Sequence, residues 1–111
     1  MAWEVTKHRI KASKEEVSVG ESVDINGEYS ITWDLEPGLY VLDVKLNLYV
    51  NDELKDSRTE FIGSVDYHGS YDGTYVFTLQ FTKKGTYKVY VDLTPIFTKA
   101  PIRPYGGVLT T

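Results

Sequence analysis

Apolar and polar residues alternate along most of this chain. Val23, Ile25, Gly27, Tyr29, Ile31 and Trp33 fall on one face of an extended segment, and Ser22, Asp24, Asn26, Glu28, Ser30, Thr32 and Asp34 fall on the other. A period of two predicts a strand that packs on a core with one face only. The pattern returns at Tyr40, Leu42, Val44, Leu46, Leu48 and Val50, opposite Asp43, Lys45, Asn47 and Tyr49. It returns again at Tyr75, Phe77, Leu79 and Phe81, and at Tyr87, Val89, Val91 and Leu93, where Lys88, Tyr90 and Asp92 take the polar side. Shorter strands are predicted from Val5 to Lys11 and from Val17 to Val19. No helix is predicted: Ser13-Lys14-Glu15-Glu16 resembles a helix cap but runs directly into Val17-Ser18-Val19-Gly20.

The breakers divide these runs. Pro37 and Gly38 suit the two central positions of a type II turn. Gly27, inside a strand, predicts a bulge or a close neighbour. The run that ends at Val50 is long for one strand, so a bend or a change of partner is expected within it, and Asn51-Asp52 begins a turn. Residues 54–68 read as one or two short edge strands, with Phe61, Val65 and Tyr67 inward and with Lys55, Asp56, Arg58 and Glu60 protecting the edge. His68-Gly69-Ser70-Tyr71-Asp72-Gly73 reads as a glycine-rich loop or hairpin tip. Lys83-Lys84-Gly85 reads as the loop of a bulged hairpin joining the last two strong strands. After Thr94 the pattern fades among Pro95, Pro101, Pro104, Gly106 and Gly107. Residues 1–94 are therefore expected to form the domain, and 95–111 a tail or an edge segment. About seven strands at this turn spacing predict an all-β, immunoglobulin-like antiparallel sandwich. The structural rival is a barrel of the oligonucleotide-binding type.

Length and charge narrow the function. The 111 residues fit one domain. With no cysteine, disulfides and thiolate metal sites are excluded. Twelve basic and sixteen acidic residues give a net charge of −4, which disfavours nucleic acid and anionic membranes as partners. No run approaches the ~20 apolar residues of a membrane-spanning helix, so no membrane insertion is expected, and the first residues lack the apolar run of a targeting segment. The nine tyrosines, two tryptophans and four phenylalanines fit pleated sheets first and binding second.

Val19-Gly20-Glu21-Ser22-Val23-Asp24-Ile25 and Gly85-Thr86-Tyr87-Lys88-Val89-Tyr90-Val91-Asp92 resemble segments of archaeal and bacterial immunoglobulin-like modules, including the CARDB and fibronectin-type groups. In those families the first pattern opens the second core strand and the second is the last core strand. The resemblance implies a spacer, adhesion unit or accessory domain, in an extracellular or cell-surface setting rather than a cytoplasmic one. It carries over no functional residue.

The remaining side chains offer little chemistry. His8 and His68 are the two histidines. A Ser-His-Asp set can be written from Ser64 or Ser70 with His68 and Asp72, but it lies in one loop without the strained turn of a nucleophile. Asp24 and Glu28 share a strand face about 13 Å apart, too far for the paired carboxyls of a glycosidase. Asp66, Asp72 and the carbonyls of 68–73 are oxygen ligands of the kind calcium takes, without EF-hand spacing. The glycines lack the spacing of a phosphate-binding loop. No catalytic residue, cofactor or metal is expected, and the chain reads as non-enzymatic. Tyr29, Trp33, Tyr40, Tyr75, Phe77, Phe81 and Tyr87 belong to inward rows. Tyr49 and Tyr90, on outward rows, and Tyr71, in the predicted loop, are the candidate surface-binding residues, with Trp3 and Tyr105 near the termini. Such rings anchor protein interfaces or stack on sugars. The expectation is a structural or protein-interaction module that binds a protein partner or itself through an edge strand or the 95–111 tail. The alternative is a carbohydrate-binding module that holds polysaccharide on its tyrosines.

Overall fold

The structure, a computed structural model, describes residues 2–100 and 106–111. It is all-β: strands β1 (Trp3–Ala12), β2 (Ser22–Val50), β3 (Glu53–Gln80) and β4 (Val89–Lys99) form one antiparallel sheet. Four strands in one sheet replace the seven expected, because two of them are very long, at 29 and 28 residues. β2 lies at the centre. β3 pairs along both halves of β2 on one side, while β1 pairs with residues 25–33 and β4 with residues 40–50 on the other. The β2–β3 turn is the pair Asn51 and Asp52, with φ of 49° and 65°. Two successive positive φ values give the tight hairpin turn whose twist matches the strands, and Asn and Asp tolerate it.

Pro37 does not end the strand. β2 runs through Glu36-Pro37-Gly38 as an irregularity, pairing lapses between Asp34 and Leu39, and there β2 exchanges β1 for β4. The expected change of partner thus falls at the proline, before the run it was assigned to. The long hairpin also doubles back. Arg58 and Phe77 both belong to β3 and would stand about 60 Å apart on a straight strand, yet the guanidinium carbon lies 4.1 Å from the Phe77 ring centroid. Trp33 of β2 likewise meets Phe97 of β4 with centroids 5.2 Å apart. One hydrophobic cluster consequently unites Ile25, Tyr29, Ile31, Trp33, Tyr75 and Phe77 with Leu42, Val44, Leu46, Leu48 and Val91. The alternating rows read from the sequence supply this core, including the buried Trp33, Leu46 and Phe77, while Val89 is half-buried against it.

The segment 68–73 is a strand, not a loop, and all of it lies within β3. Its glycines make room for rings on β2. Tyr29 lies opposite Gly73, and Tyr75 lies opposite Gly27. A Cβ added to Gly73 would stand 2.4 Å from the Tyr29 ring, and one added to Gly27 would stand 2.0 Å from the Tyr75 ring. The two pairs are adjacent and reversed, so each strand lends a ring to the other's glycine. Trp33 sits over Gly69 in the same manner. Gly27 therefore marks a close neighbour rather than a bulge.

The edges differ from expectation for local reasons. Leu42 pairs with Gly63 and Asp43 with Phe61, so Ile62 is an extra residue in β3. A one-residue bulge reverses the alternation, which turns Phe61 outward, 73% exposed, and packs Ile62 against the core. β3 and β4 do not form a hairpin, since both pair with β2 and residues 81–88 connect them as a loop. Val17 to Val19 is also loop. Pro95 is buried within β4, an edge strand that extends to Lys99, where a missing N–H is tolerated. Pro101, Pro104 and Tyr105 lie outside the described residues.

Candidate functional site

Outward rows of residues 39–50 of β2, 53–66 of β3 and β4 form a face with large apolar side chains. β2 and β4 are adjacent, and Tyr49 is the register partner of Tyr90. Leu54 of β3 is the partner of Tyr49 on its other side. Leu54, Tyr49 and Tyr90 thus make a row across three strands. Tyr90 is 41% exposed and Leu54 52%, while Tyr49, between them, is half-buried. The row ends on the rigid turn, where Asn51 accepts a hydrogen bond from the Lys88 amide on its side chain (2.8 Å) and donates its own amide to the Lys88 carbonyl (2.8 Å). The next row is polar: Asn47 pairs with Asp92 and with Ser57, whose hydroxyl donates to Asn47 Oδ1 at 2.7 Å. Farther along, Phe61 and Ile96 flank Asp43 and are exposed. Leu54, Phe61 and Ile96 escaped the sequence reading. The bulge at Ile62 hid Phe61, and Ile96 lay beyond the point where the pattern fades.

Tyr71 does not join this face. It lies opposite Ile31 on the inward row of β3, half-buried, with its ring 6.2 Å from that of Tyr29. Its assignment to a surface loop is corrected by the same strand that absorbs 68–73. Trp3 is half-buried against the core.

The outer face of the other half is charged and tied together. Glu28 meets Lys7 at 3.7 Å and Arg9 at 3.8 Å. Ser30 donates to Asp72 at 2.6 Å and Thr78 to Asp24 at 2.9 Å. Asp24, Glu28 and Asp72 are thus engaged in cross-strand hydrogen bonds and ion pairs, and the Asp66 carboxylate accepts from the Tyr67 amide at 2.8 Å. Ser64, His68, Ser70 and Asp72 are spread along one extended strand, which places His68 and Asp72 about 13 Å apart and Asp66 and Asp72 about 20 Å apart. Neither a triad nor a calcium loop is assembled from them. Among the described residues, no group of three His, Asp or Glu side chains is placed to hold a metal.

Titratable groups inside the fold serve its packing. Burial pushes the Tyr29 phenol up to about 12, aided by neighbouring Tyr71 and Glu60. Burial also raises Tyr75, with Tyr29 contributing. The Tyr75 hydroxyl lies 2.6 Å from His8 Nε2. Burial lowers the His8 pKa, partly offset by Asp92. A neutral imidazole accepting from a protonated phenol is the pairing these directions favour.

A second feature lies at the end of the molecule away from the bend. The β1–β2 loop and the β3–β4 loop bound a cleft of about 620 Å3, lined by Val17, Val19, Val23, Phe81, Tyr87 and Val89 among others. The Phe81 and Tyr87 rings stack at 4.1 Å. No protein-family model, curated protein or solved structure matches the chain. No helix among the described residues is long and apolar enough to cross a membrane.

Proposed function

We propose that this chain is a non-catalytic protein-interaction module of the immunoglobulin-like sandwich type, which presents the Tyr49–Tyr90 face to a protein partner. The doubling back of the hairpin supports the sandwich reading, since it brings inward rows of both halves into one cluster. The observation that carries the function is the row Leu54–Tyr49–Tyr90, three large side chains held side by side on a rigid sheet and rimmed by polar residues. Tyrosine anchors with a polar rim are the usual composition of a protein contact.

A second reading is favoured by one detail. The two tyrosines have Asn47 and Asp92 in the adjacent row, so paired rings and hydroxyl-binding groups lie together, as a pyranose would require. The test is a comparison of wild type with Tyr49→Ala/Tyr90→Ala. Protein capture from native extract and a glycan array are run in parallel. A single protein retained at least ten-fold better by wild type supports the interaction module. Saturable glycan binding lost in the variant supports the sugar reading. Equal behaviour of wild type and variant in both assays removes this face from the function.

A further inference from the structure

The cleft at the open end has two loops of opposite charge. The β1–β2 loop brings Glu15 and Glu16 to it, and the β3–β4 loop brings Lys83 and Lys84. All four are exposed. None of them makes an ion pair among the described residues, although Lys14, in the same lining, pairs with Glu21 at 3.0 Å. Between the two charged segments lies an apolar floor: Val17, Phe81, Tyr87 and Val89 are half-buried, and Val19, on its loop, is 53% exposed. The outer ends of β1 and β4 lie at the other end: the Asp34 amide donates to the Ala2 carbonyl and the Ala100 amide donates to the Leu39 carbonyl, both beside the bend. The cleft is therefore not crowded by either described end of the sheet.

Two unpaired acidic residues and two unpaired basic residues on one patch are complementary to themselves. A two-fold rotation sets the acidic segment of one copy against the basic segment of the other, twice, and brings the two apolar floors together. This is the requirement for an isologous interface. We infer that this cleft is a self-association surface and that its occupant is a second copy of the chain. Glu15 and Glu16 contact Lys83 and Lys84 of the second copy, and Val19 of each copy inserts between them. The inference is independent of the Tyr49–Tyr90 face and leaves that face free.

The test is sedimentation equilibrium over a concentration series, at low and high salt, with a charge-swap pair. Wild type should approach twice its 12.6 kDa mass, and high salt should weaken the association because exposed charges are screened. Glu15→Lys/Glu16→Lys and Lys83→Glu/Lys84→Glu should each weaken it at least ten-fold. Mixing the two variants should restore a dimer containing one of each, because the all-basic patch then meets the all-acidic one. Far-ultraviolet circular dichroism of each variant establishes that it is folded, and recovery in the mixture reports the contact itself. A wild-type chain that stays monomeric at millimolar concentration overturns the inference. So does a dimer indifferent to both charge reversals, or an apolar amphiphile that saturates the cleft of a monomer. Tyr90→Ala should leave the dimer unchanged, so failure here is distinguishable from failure of the proposed binding face.

Discussion

In the half built from β1 and the adjoining parts of β2 and β3, the rings of Tyr29, Trp33, Tyr75 and Phe77 are buried, and the outer face carries ion pairs. In the half that contains β4, the buried row is Tyr40, Leu42, Val44, Leu46, Leu48 and Val50, with Phe97 packed against the core, and the rings of Tyr49, Tyr90 and Phe61 lie on the outward rows. Both halves derive from one alternating hairpin, so the difference is that the half with β4 also places rings on its outward parity. Inside, a ring opposite a glycine fills its own position and its partner's. Outside, a ring beside polar residues is available to another molecule. Aromatic content by itself is thus ambiguous about function, and the strand register resolves it.

The largest expected effect falls on the aliphatic half. Leu46 is fully buried between Arg58 and Leu93 in the register. Leu46→Ala should lower stability by about 2–5 kcal/mol, read from the urea midpoint. An unchanged midpoint would mean that this half contributes little to the core. The aromatic half should answer to the opposite change. Gly73→Ala should cost about 1–3 kcal/mol by overpacking, since its Cβ would collide with the Tyr29 ring. Pairing Gly73→Ala with Tyr29→Leu should recover part of that loss in a double-mutant cycle. Elsewhere in a strand the same exchange is favourable by roughly 0.5–1 kcal/mol, so a stabilised Gly73→Ala protein would refute the ring-over-glycine arrangement.

A pH effect separates the halves next. The Tyr29 phenol is raised in the folded state to about 12, against about 10 in the unfolded chain. Its contribution is complete below pH 10 and is lost as pH rises from 10 through 12. Tyr75 is shifted in the same direction. Alkaline titration should therefore lower the stability from about pH 10 upward, and Tyr29→Phe should flatten that loss. His8 acts at the other extreme. Its folded-state pKa is lowered, so its contribution is present above about 6.5 and is lost as pH falls through the lowered value. The smallest effect is expected outside: Tyr90→Ala should change stability by no more than about 0.5 kcal/mol.

The sequence is most legible where alternation is uninterrupted. The rows Val23–Trp33 and Tyr40–Val50 assign the buried face residue by residue, because the period of a strand ties parity to side. The parity argument also reaches the outward positions of Tyr49 and Tyr90. It fails wherever one residue is inserted, as at Ile62, which puts Phe61 and Val65 on opposite faces although they stand four positions apart. Composition misleads at 68–73, where glycines that accommodate rings from another strand look like glycines of a loop. Nothing local distinguishes the two, since the rings concerned lie some forty residues away in sequence. Pro37 misleads similarly, because a strand that changes partners can carry a proline at the change. The cleft between residues 14–19 and 83–87 was not legible at all, as it depends on the hairpin doubling back.

The distinction between rings that hold the fold and rings that bind is tested most directly by nuclear magnetic resonance. The partner captured by the wild-type chain is titrated into isotope-labelled protein, and the backbone amides are followed. The largest saturable shifts should fall at residues 47–50, 54–57 and 89–92, and Tyr90→Ala should abolish them while the remaining amide signals keep their positions. Shifts concentrated on β1 and the ion-paired face, or shifts that survive Tyr90→Ala unchanged, would contradict the assignment of binding to the outer tyrosines.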